Sequence, residues 1–234
     1  MSRALAIETS GKIGSVAVAC DGTVLAEESF PHHFQHAAGL MPLVDQLMRG
    51  VGWKPADIDC VCVSVGPGSF TGLRIGVTAA KTIAFATGAR LVAVPTTRVL
   101  LANAPAEARE VVIVLDAKRG QIFTARFTHT GDAWTEAEPE HLDTLAAMLA
   151  RSTGPVHLIG EGLPYHTDAA VDERAIVTPE SAWQARAAAV AVLGHAKAAA
   201  GDFIDPFRLT PVYVRRPEPE EKRLAAEAAA AVKA

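Results

Sequence analysis

The stretch Ser64-Val65-Gly66-Pro67-Gly68-Ser69-Phe70-Thr71-Gly72-Leu73-Arg74-Ile75-Gly76 sets a glycine-rich turn between a buried strand and a nearly all-apolar helix. Glycine lets backbone pass close to other atoms at φ values other residues avoid, and free N–H groups at a helix start receive anions. The turn is therefore either a phosphate cradle or a tight packing joint. The usual phosphate motifs do not fit it. A Walker A loop needs Lys after its last glycine, whereas Gly72 is followed by Leu73 and Arg74. A dinucleotide fingerprint is G-x-G-x-x-G, whereas Gly66, Gly68 and Gly72 are spaced G-x-G-x-x-x-G.

Other constellations are thinner. In Pro31-His32-His33-Phe34-Gln35-His36, His32 and His36 are i,i+4 and would share a face if a helix began early. Pro31 argues for a loop and no third ligand has motif spacing to the pair, so a solvated or capping role is expected. Ser69 is not in a G-x-S-x-G elbow, and no motif ties a His or an acid to it. Glu8 and Asp116 fall at the ends of apolar strands, where site residues of α/β proteins gather; turn capping is the alternative for both.

The elements that must position these groups follow from the apolar pattern. Runs at 3–7 and 14–20, the Asp21-Gly22 hairpin signal and a third strand ending by Ser29 give a meander. A helix over 35–51, a strand over 60–65, a helix over 72–87 and a strand over 91–94 follow. Around Val111 the pattern restarts: an apolar run ends in Asp116, Lys118 and Gly120 follow, and a strand comes next, as Lys12 and Gly14 follow Glu8. The echo predicts two related halves, 1–105 and 106–216. The second is expected to be abbreviated, with fewer strands: a helix over 142–150, a strand over 156–159, an Ala-rich helix over 183–200 and an irregular Pro-rich segment from Asp205. Residues 217–234 turn from dense charge to alanine and read as a frayed or partner-ordered tail.

The 234 residues, half of them apolar, suffice for one large or two small domains with a real core. The net charge of −4 argues against a broad nucleic-acid platform, leaving a local patch open. No apolar run approaches the roughly 18 residues of a membrane span, and Glu8 interrupts the candidate signal segment, so a cytoplasmic protein is expected. Cys20, Cys60 and Cys62 read as buried structural thiols.

Two helices carry more apolar surface than one core face needs. Ala37, Leu40, Met41, Leu43, Val44, Leu47, Met48 and Val51 sweep an arc of about 160°, where roughly 100° seats a helix. In the helix after the glycine turn, Leu73, Val77, Ala80, Ile83 and Ala84 make one face, and Ile75, Thr78, Ala79, Thr82 and Ala86 make a second, of small residues. Together the helices would supply half of a four-helix interface; the alternative is that both are sandwiched inside the fold.

Ile7-Glu8-Thr9-Ser10, the long glycine motif from Gly66 to Gly76 and the late Pro211-Val212-Tyr213-Val214-Arg215 resemble the TsaB (YeaZ) family. The resemblance runs from Arg3 to about Arg216. It implies an α/β fold of two duplicated actin-like, sugar-kinase-like (ribonuclease H-like) domains and a role in threonylcarbamoyl modification of adenosine next to the anticodon of tRNAs reading ANN codons. The family's catalytic relative, TsaD, has I-E-T-S-C-D plus another acid where this chain has Ile7-Glu8-Thr9-Ser10-Gly11-Lys12-Ile13. It has N-H-x-x-x-H for a metal where this chain has Pro95-Thr96-Thr97-Arg98-Val99-Leu100.

The comparison implies a non-catalytic paralogue without a metal site or intrinsic cofactor, with ATP or ADP entering only within a complex. The implied partners are TsaD, through His36, Leu40, Leu43, Leu47, Ile75, Thr78, Ala79 and Thr82, and TsaE, with tRNA contacted indirectly and either a homodimer or a monomer when alone. On this reading Gly66, Pro67, Gly68, Ser69, Phe70, Thr71, Gly72 and Arg74 are structural, and Glu8, Thr9, Ser10 and Asp116 are the residues left to touch a nucleotide. The alternatives are an ATPase or phosphotransferase of the same fold and, less favoured, a glycoprotease-type metallopeptidase.

Overall fold

A computed structural model describes residues 2–31, 36–131, 133–167 and 172–214. The calls on His32, His33 and the tail 217–234 are expectations that fall outside these residues, as does the side chain of His36.

The first half is a five-stranded sheet. Its strands are β1 (Arg3–Glu8), β2 (Ile13–Cys20), β3 (Thr23–Pro31), β4 (Cys60–Ser64) and β5 (Arg90–Val94), in the order β3-β2-β1-β4-β5. β1, β2 and β3 are antiparallel neighbours, while β4 and β5 join β1 in parallel. The antiparallel pairs are joined by tight turns, and the parallel ones by crossover helices. These are α1 (His36–Gly50) between β3 and β4, and α2 (Phe70–Thr87) between β4 and β5. Side chains alternate faces along a strand. Leu5, Ile7, Val61 and Val63 therefore pack under α1 and α2, while Ala4, Ala6, Cys60 and Cys62 face the other way.

The second half repeats this plan. β6 (Glu110–Ile113) and β7 (Leu115–Asp116) are one strand interrupted at Val114, and both pair with β8 (Ile122–Thr130). β9 (Ala133–Asp143) lies outside β8, and β10 (Val156–Ile159) and β11 (Ala175–Val177) lie parallel on the other side. The spatial order β9-β8-β6/β7-β10-β11 is that of the first sheet, strand for strand. The expectation of fewer strands is thus corrected. The abbreviation lies in the helices: α4 (Leu145–Ala150) replaces the fifteen-residue α1, and the 3-10 turn Leu163–Tyr165 stands in the crossover that α2 fills in the first half.

A shared core welds the halves. The short α3 (Thr96–Leu101) and the helix α5 (Ala187–Ala199), which follows β11, lie between the sheets with Ala4, Ala6, Cys62, Val94, Ile113 and Phe127. The small residues of the first sheet's inner face admit α5 closely; a Cβ on Gly194 would stand 2.3 Å from Cys62 Sγ. A helix start leaves N–H groups without partners. In α5 these are met from the first half, Ala187 N donating to Ser15 Oγ at 2.8 Å and Ala188 N to Glu27 Oε1 at 2.9 Å. Arg186 also pairs with Glu27.

Candidate functional site

The glycine turn is filled by its own chain. Ser69 caps α2, its hydroxyl accepting from Gly72 N at 3.2 Å and its carbonyl from Leu73 N at 2.8 Å. The glycines on either side of Ser69 face the turn leaving β1. A Cβ on Gly68 would stand 2.5 Å from the Ser10 carbonyl oxygen, one on Gly72 2.0 Å from that of Thr9, and one on Gly76 2.2 Å from Thr9 Oγ1. In the space this leaves, Thr9 Oγ1 donates to the Gly72 carbonyl at 2.8 Å, and Ser69 N donates to the Ser10 carbonyl at 2.7 Å. Of the two readings the sequence left open, this geometry matches the packing joint. Gly66 serves the chain's last segment: Val212 N donates to the Val65 carbonyl at 2.7 Å, and a Cβ on Gly66 would meet the Val212 carbonyl oxygen at 2.8 Å.

That segment, residues 205–214, crosses α2 as a strap. Leu209 is buried among the α1 and α2 side chains, and Lys81 Nζ donates to its carbonyl at 3.2 Å. Arg74 lays its guanidinium 3.8 Å from the Phe70 ring centroid, and its Nε donates to Tyr213 Oη at 3.1 Å. The Phe70 and Tyr213 rings stand 5.0 Å apart. Two of the three motifs that carry the family resemblance, the glycine motif and the late segment with Tyr213, are thus in contact.

Glu8 and Asp116 occupy equivalent places, at the ends of β1 and β7, with opposite electrostatics. Glu8 is fully buried, and its Oε1 accepts from Ser10 N at 2.5 Å. Burial pushes its pKa up; the nearby Ser10 and Ser64 hydroxyls ease the charge without completing hydrogen bonds to it, and the Glu161 carboxylate pushes it further up. Asp116 is half-buried and bonds Lys118 twice, through its backbone N at 2.9 Å and its Nζ at 2.5 Å. Burial acts against the Asp116 charge, but Lys118, helped by His166 at 3.8 Å, outweighs it and holds the carboxyl below its usual range.

Each half has a G-x-G loop where its central parallel strand ends: Gly66-Pro67-Gly68 after β4 and Gly160-Glu161-Gly162 after β10. The second is packed as tightly as the first. Cβ atoms on Gly160 and Gly162 would stand 2.2 Å from the Val114 carbonyl oxygen and 2.6 Å from Asp116 N. Glu161, between them, crosses to the first half, where Lys12 N donates to its Oε2 at 2.8 Å. Four residues on, the Tyr165 ring has the Lys12 ammonium 5.0 Å and the Lys118 ammonium 5.2 Å from its centroid. The sequence reading missed Glu161 and Tyr165; the signal available was the repeated G-x-G after a short apolar strand.

At the place of the relative's N-H-x-x-x-H, Pro95 opens α3, with Thr96, Thr97, Val99 and Leu100 buried. Thr97 Oγ1 donates to Glu140 Oε1 at 2.5 Å.

The expected partner surface needs one correction. Leu40 and Leu47, 1% and 6% exposed, belong to the chain's own core with Val44 and Met48, because α1 seats this side of its apolar arc on the sheet. Leu43, Ile75 and Ala79 are half-buried at the edge of that core, and Thr78 and Thr82 are exposed. Met41 on α1 and Phe85 on α2 are exposed at 47% and 81%.

Comparison with known proteins agrees with this architecture. The family described as TsaD, tRNA N6-adenosine threonylcarbamoyltransferase, matches residues 31–233. The tRNA threonylcarbamoyladenosine biosynthesis protein TsaB of Bacillus subtilis is 31% identical over 224 residues, 93% of this chain and 96% of that protein. TsaB of Escherichia coli is 33% identical over 128 residues, 53% of this chain and 54% of that protein. Among solved structures, YeaZ from Pseudomonas aeruginosa superposes with a TM-score of 0.77 at 24% identity, covering 91% of this chain and all of its own. With two sheets of the same strand order and 31% identity along nearly the whole length of a TsaB protein, the chain belongs to the TsaB (YeaZ) family, within the wider group that includes TsaD.

Proposed function

We propose that this chain acts in tRNA threonylcarbamoyladenosine biosynthesis as a non-catalytic, cytoplasmic subunit that binds TsaD and holds it in its active arrangement, TsaE joining the pair. Family membership supports the pathway. The observation that carries the scaffold role is the exposed apolar face shared by α1 and α2. Met41 on α1 and Phe85 on α2 stand clear of the core, α2 also exposes the small side chains of Thr78 and Thr82, and the two helices pack against each other. Small residues let a partner's helices approach closely, and exposed large apolar groups gain most from being covered. The same face serves self-association when the chain is alone.

The sealing of Glu8 and the filling of the glycine turn by Thr9 and Ser10 do not favour a phosphotransferase, which needs both open to a nucleotide. The tRNA phosphates are then met by the partner, in keeping with the net charge of −4.

The test is size-exclusion chromatography with light scattering on the chain mixed with TsaD, wild type against Met41→Asp/Thr82→Asp. Both positions are exposed, so the fold is expected to survive while a one-to-one complex is lost. An unchanged affinity for TsaD in the double variant would remove this face from the assignment.

A further inference from the structure

A large apolar side chain held in water by a well-fixed turn marks a contact surface. Phe207 is 84% exposed, and the strap turn that presents it is fixed from within. Phe207 N donates to Asp205 Oδ1 at 2.8 Å, and Arg208 N and Leu209 N donate to the Asp205 carbonyl at 2.9 and 3.1 Å. Both flanks are tied down as well, Ile204 by its bridge to Leu91 of β5 and Leu209 by burial among the α1 and α2 side chains. Phe207 is also the middle one of three aromatic residues that each have an arginine beside them. Arg90 lies 4.0 Å from the Phe203 ring centroid, Arg208 follows Phe207 in the chain and is exposed with it, and Arg74 bonds Tyr213 and stacks on Phe70. From 203 to 216 the sequence holds Arg208, Arg215 and Arg216 against one carboxylate, Asp205, which the turn itself uses. The strap is therefore basic on a chain whose net charge is −4.

We propose that the strap is a direct contact for single-stranded RNA, a loop or an end whose unstacked bases lie on the Phe207 and Tyr213 rings while its phosphates meet Arg208, Arg74 and Arg90. Exposed rings interleaved with guanidinium groups suit this ligand, because every base has a face to stack and every nucleotide brings a charge. A folded acidic surface would satisfy the arginines but leave the ring faces beside them unused, and an apolar protein pocket that took Phe207 would have to bury the Arg208 charge with it. RNA of this kind is at hand in tRNA threonylcarbamoyladenosine biosynthesis, the pathway of the chain's relatives. The strap adds a few contacts to those made by the partner, and it does so whether or not the α1–α2 face binds TsaD.

Fluorescence anisotropy of the full chain alone with a labelled RNA hairpin, its loop single-stranded, tests the proposal against the same stem made as a blunt duplex. Wild type is expected to bind the hairpin more tightly than the duplex, with an affinity that falls as salt rises. Phe207→Ala should weaken hairpin binding about tenfold and leave the salt dependence as it was. Arg208→Gln should lower the slope of log affinity against log salt by about 0.7, and Arg208→Lys should restore it. Both side chains are exposed, and the turn's hydrogen bonds come from backbone and Asp205, so the variants are expected to fold. Hairpin binding unchanged in Phe207→Ala/Arg208→Gln overturns the proposal, as does equal affinity for the duplex or an absence of binding by wild type at about 0.05 M salt. Poly-glutamate bound as tightly as the hairpin would make the strap a dock for acidic protein and overturns the RNA assignment equally.

Discussion

Thr9 and Gly72, sixty-three residues apart, are joined by a single 2.8 Å hydrogen bond from the threonine hydroxyl to the glycine carbonyl, in a contact that a methyl group on Gly72 would close to 2.0 Å. The bond fixes the start of α2 against the turn leaving β1. Thr9→Val, nearly isosteric, removes the donor and leaves a buried carbonyl short of a partner, a loss of about 1–3 kcal/mol. Gly72→Ala forces backbone apart and is expected to cost about 3 kcal/mol or more. Urea denaturation of the two variants should rank them in that order.

Glu8 gives the chain a pH dependence of definite sign. A carboxyl whose pKa is raised by folding binds its proton more tightly folded than unfolded, so its contribution to stability is fully present below the unfolded value, about 4.3, and is lost as pH rises through the folded one. Glu8→Gln has no proton to lose. Its stability relative to wild type should therefore rise between pH 4.5 and 8. Denaturation series at several pH values would show this, and a constant difference across that range would mean that Glu8 is charged throughout.

Gly194 and Cys62 should behave as a coupled pair. Gly194→Ala puts a methyl 2.3 Å from Cys62 Sγ and 2.7 Å from its Cβ, at an expected cost of about 1–3 kcal/mol. Cys62→Ala removes the sulfur but not the Cβ, so the double variant should recover part of the loss and Gly194→Ala/Cys62→Gly more of it. Independent, additive losses would contradict the close approach of α5 to β4.

The strap over α2 is anchored at its far end by Tyr213. Replacing Tyr213 by Ala removes the hydrogen bond from Arg74 and one ring of the Phe70, Arg74, Tyr213 stack, worth about 1 kcal/mol at an exposed site. The hydrogen bond from Val212 N to Val65 lies one residue away. Amide exchange at Val212 should accelerate severalfold while that of the β1 amides stays unchanged.

Much of this architecture was legible in the residues. Cys60–Ser64, Val156–Ile159 and Phe70–Thr87 fall within a residue or two of where apolar pattern and breakers put them. β9 was not legible, because Ala-Trp-Thr-Glu-Ala-Glu-Pro-Glu-His-Leu-Asp has an interior proline and alternating acids and reads as loop. It is an edge strand, held by pairing with β8 and by Arg98, Arg126 and Arg151 reaching its glutamates, interactions that only tertiary structure supplies. The duplication showed as an echo after Val111, but the strand count did not, for the same reason. In the site, Glu8 and Asp116 could be found from strand ends. Glu161 was marked only by the second G-x-G, which locates the loop but not its contact with Lys12, 149 residues away. Leu40 and Leu47 show a different limit: helical periodicity gives the width of an apolar arc, not which side of it the chain keeps for itself.

The position of α5 sets an order of events during synthesis. The inner face of the first sheet is complete, in sequence, once Val94 is made, yet its cover is residues 187–199, and the N–H groups at the start of that helix wait for Ser15 and Glu27. Until the ribosome has released that late segment, the N-terminal half presents Ala4, Ala6, Cys60, Cys62 and Val92 bare. The first half is therefore expected to complete its folding only when α5 is available, and the nascent chain to be most exposed to aggregation just before α5 emerges.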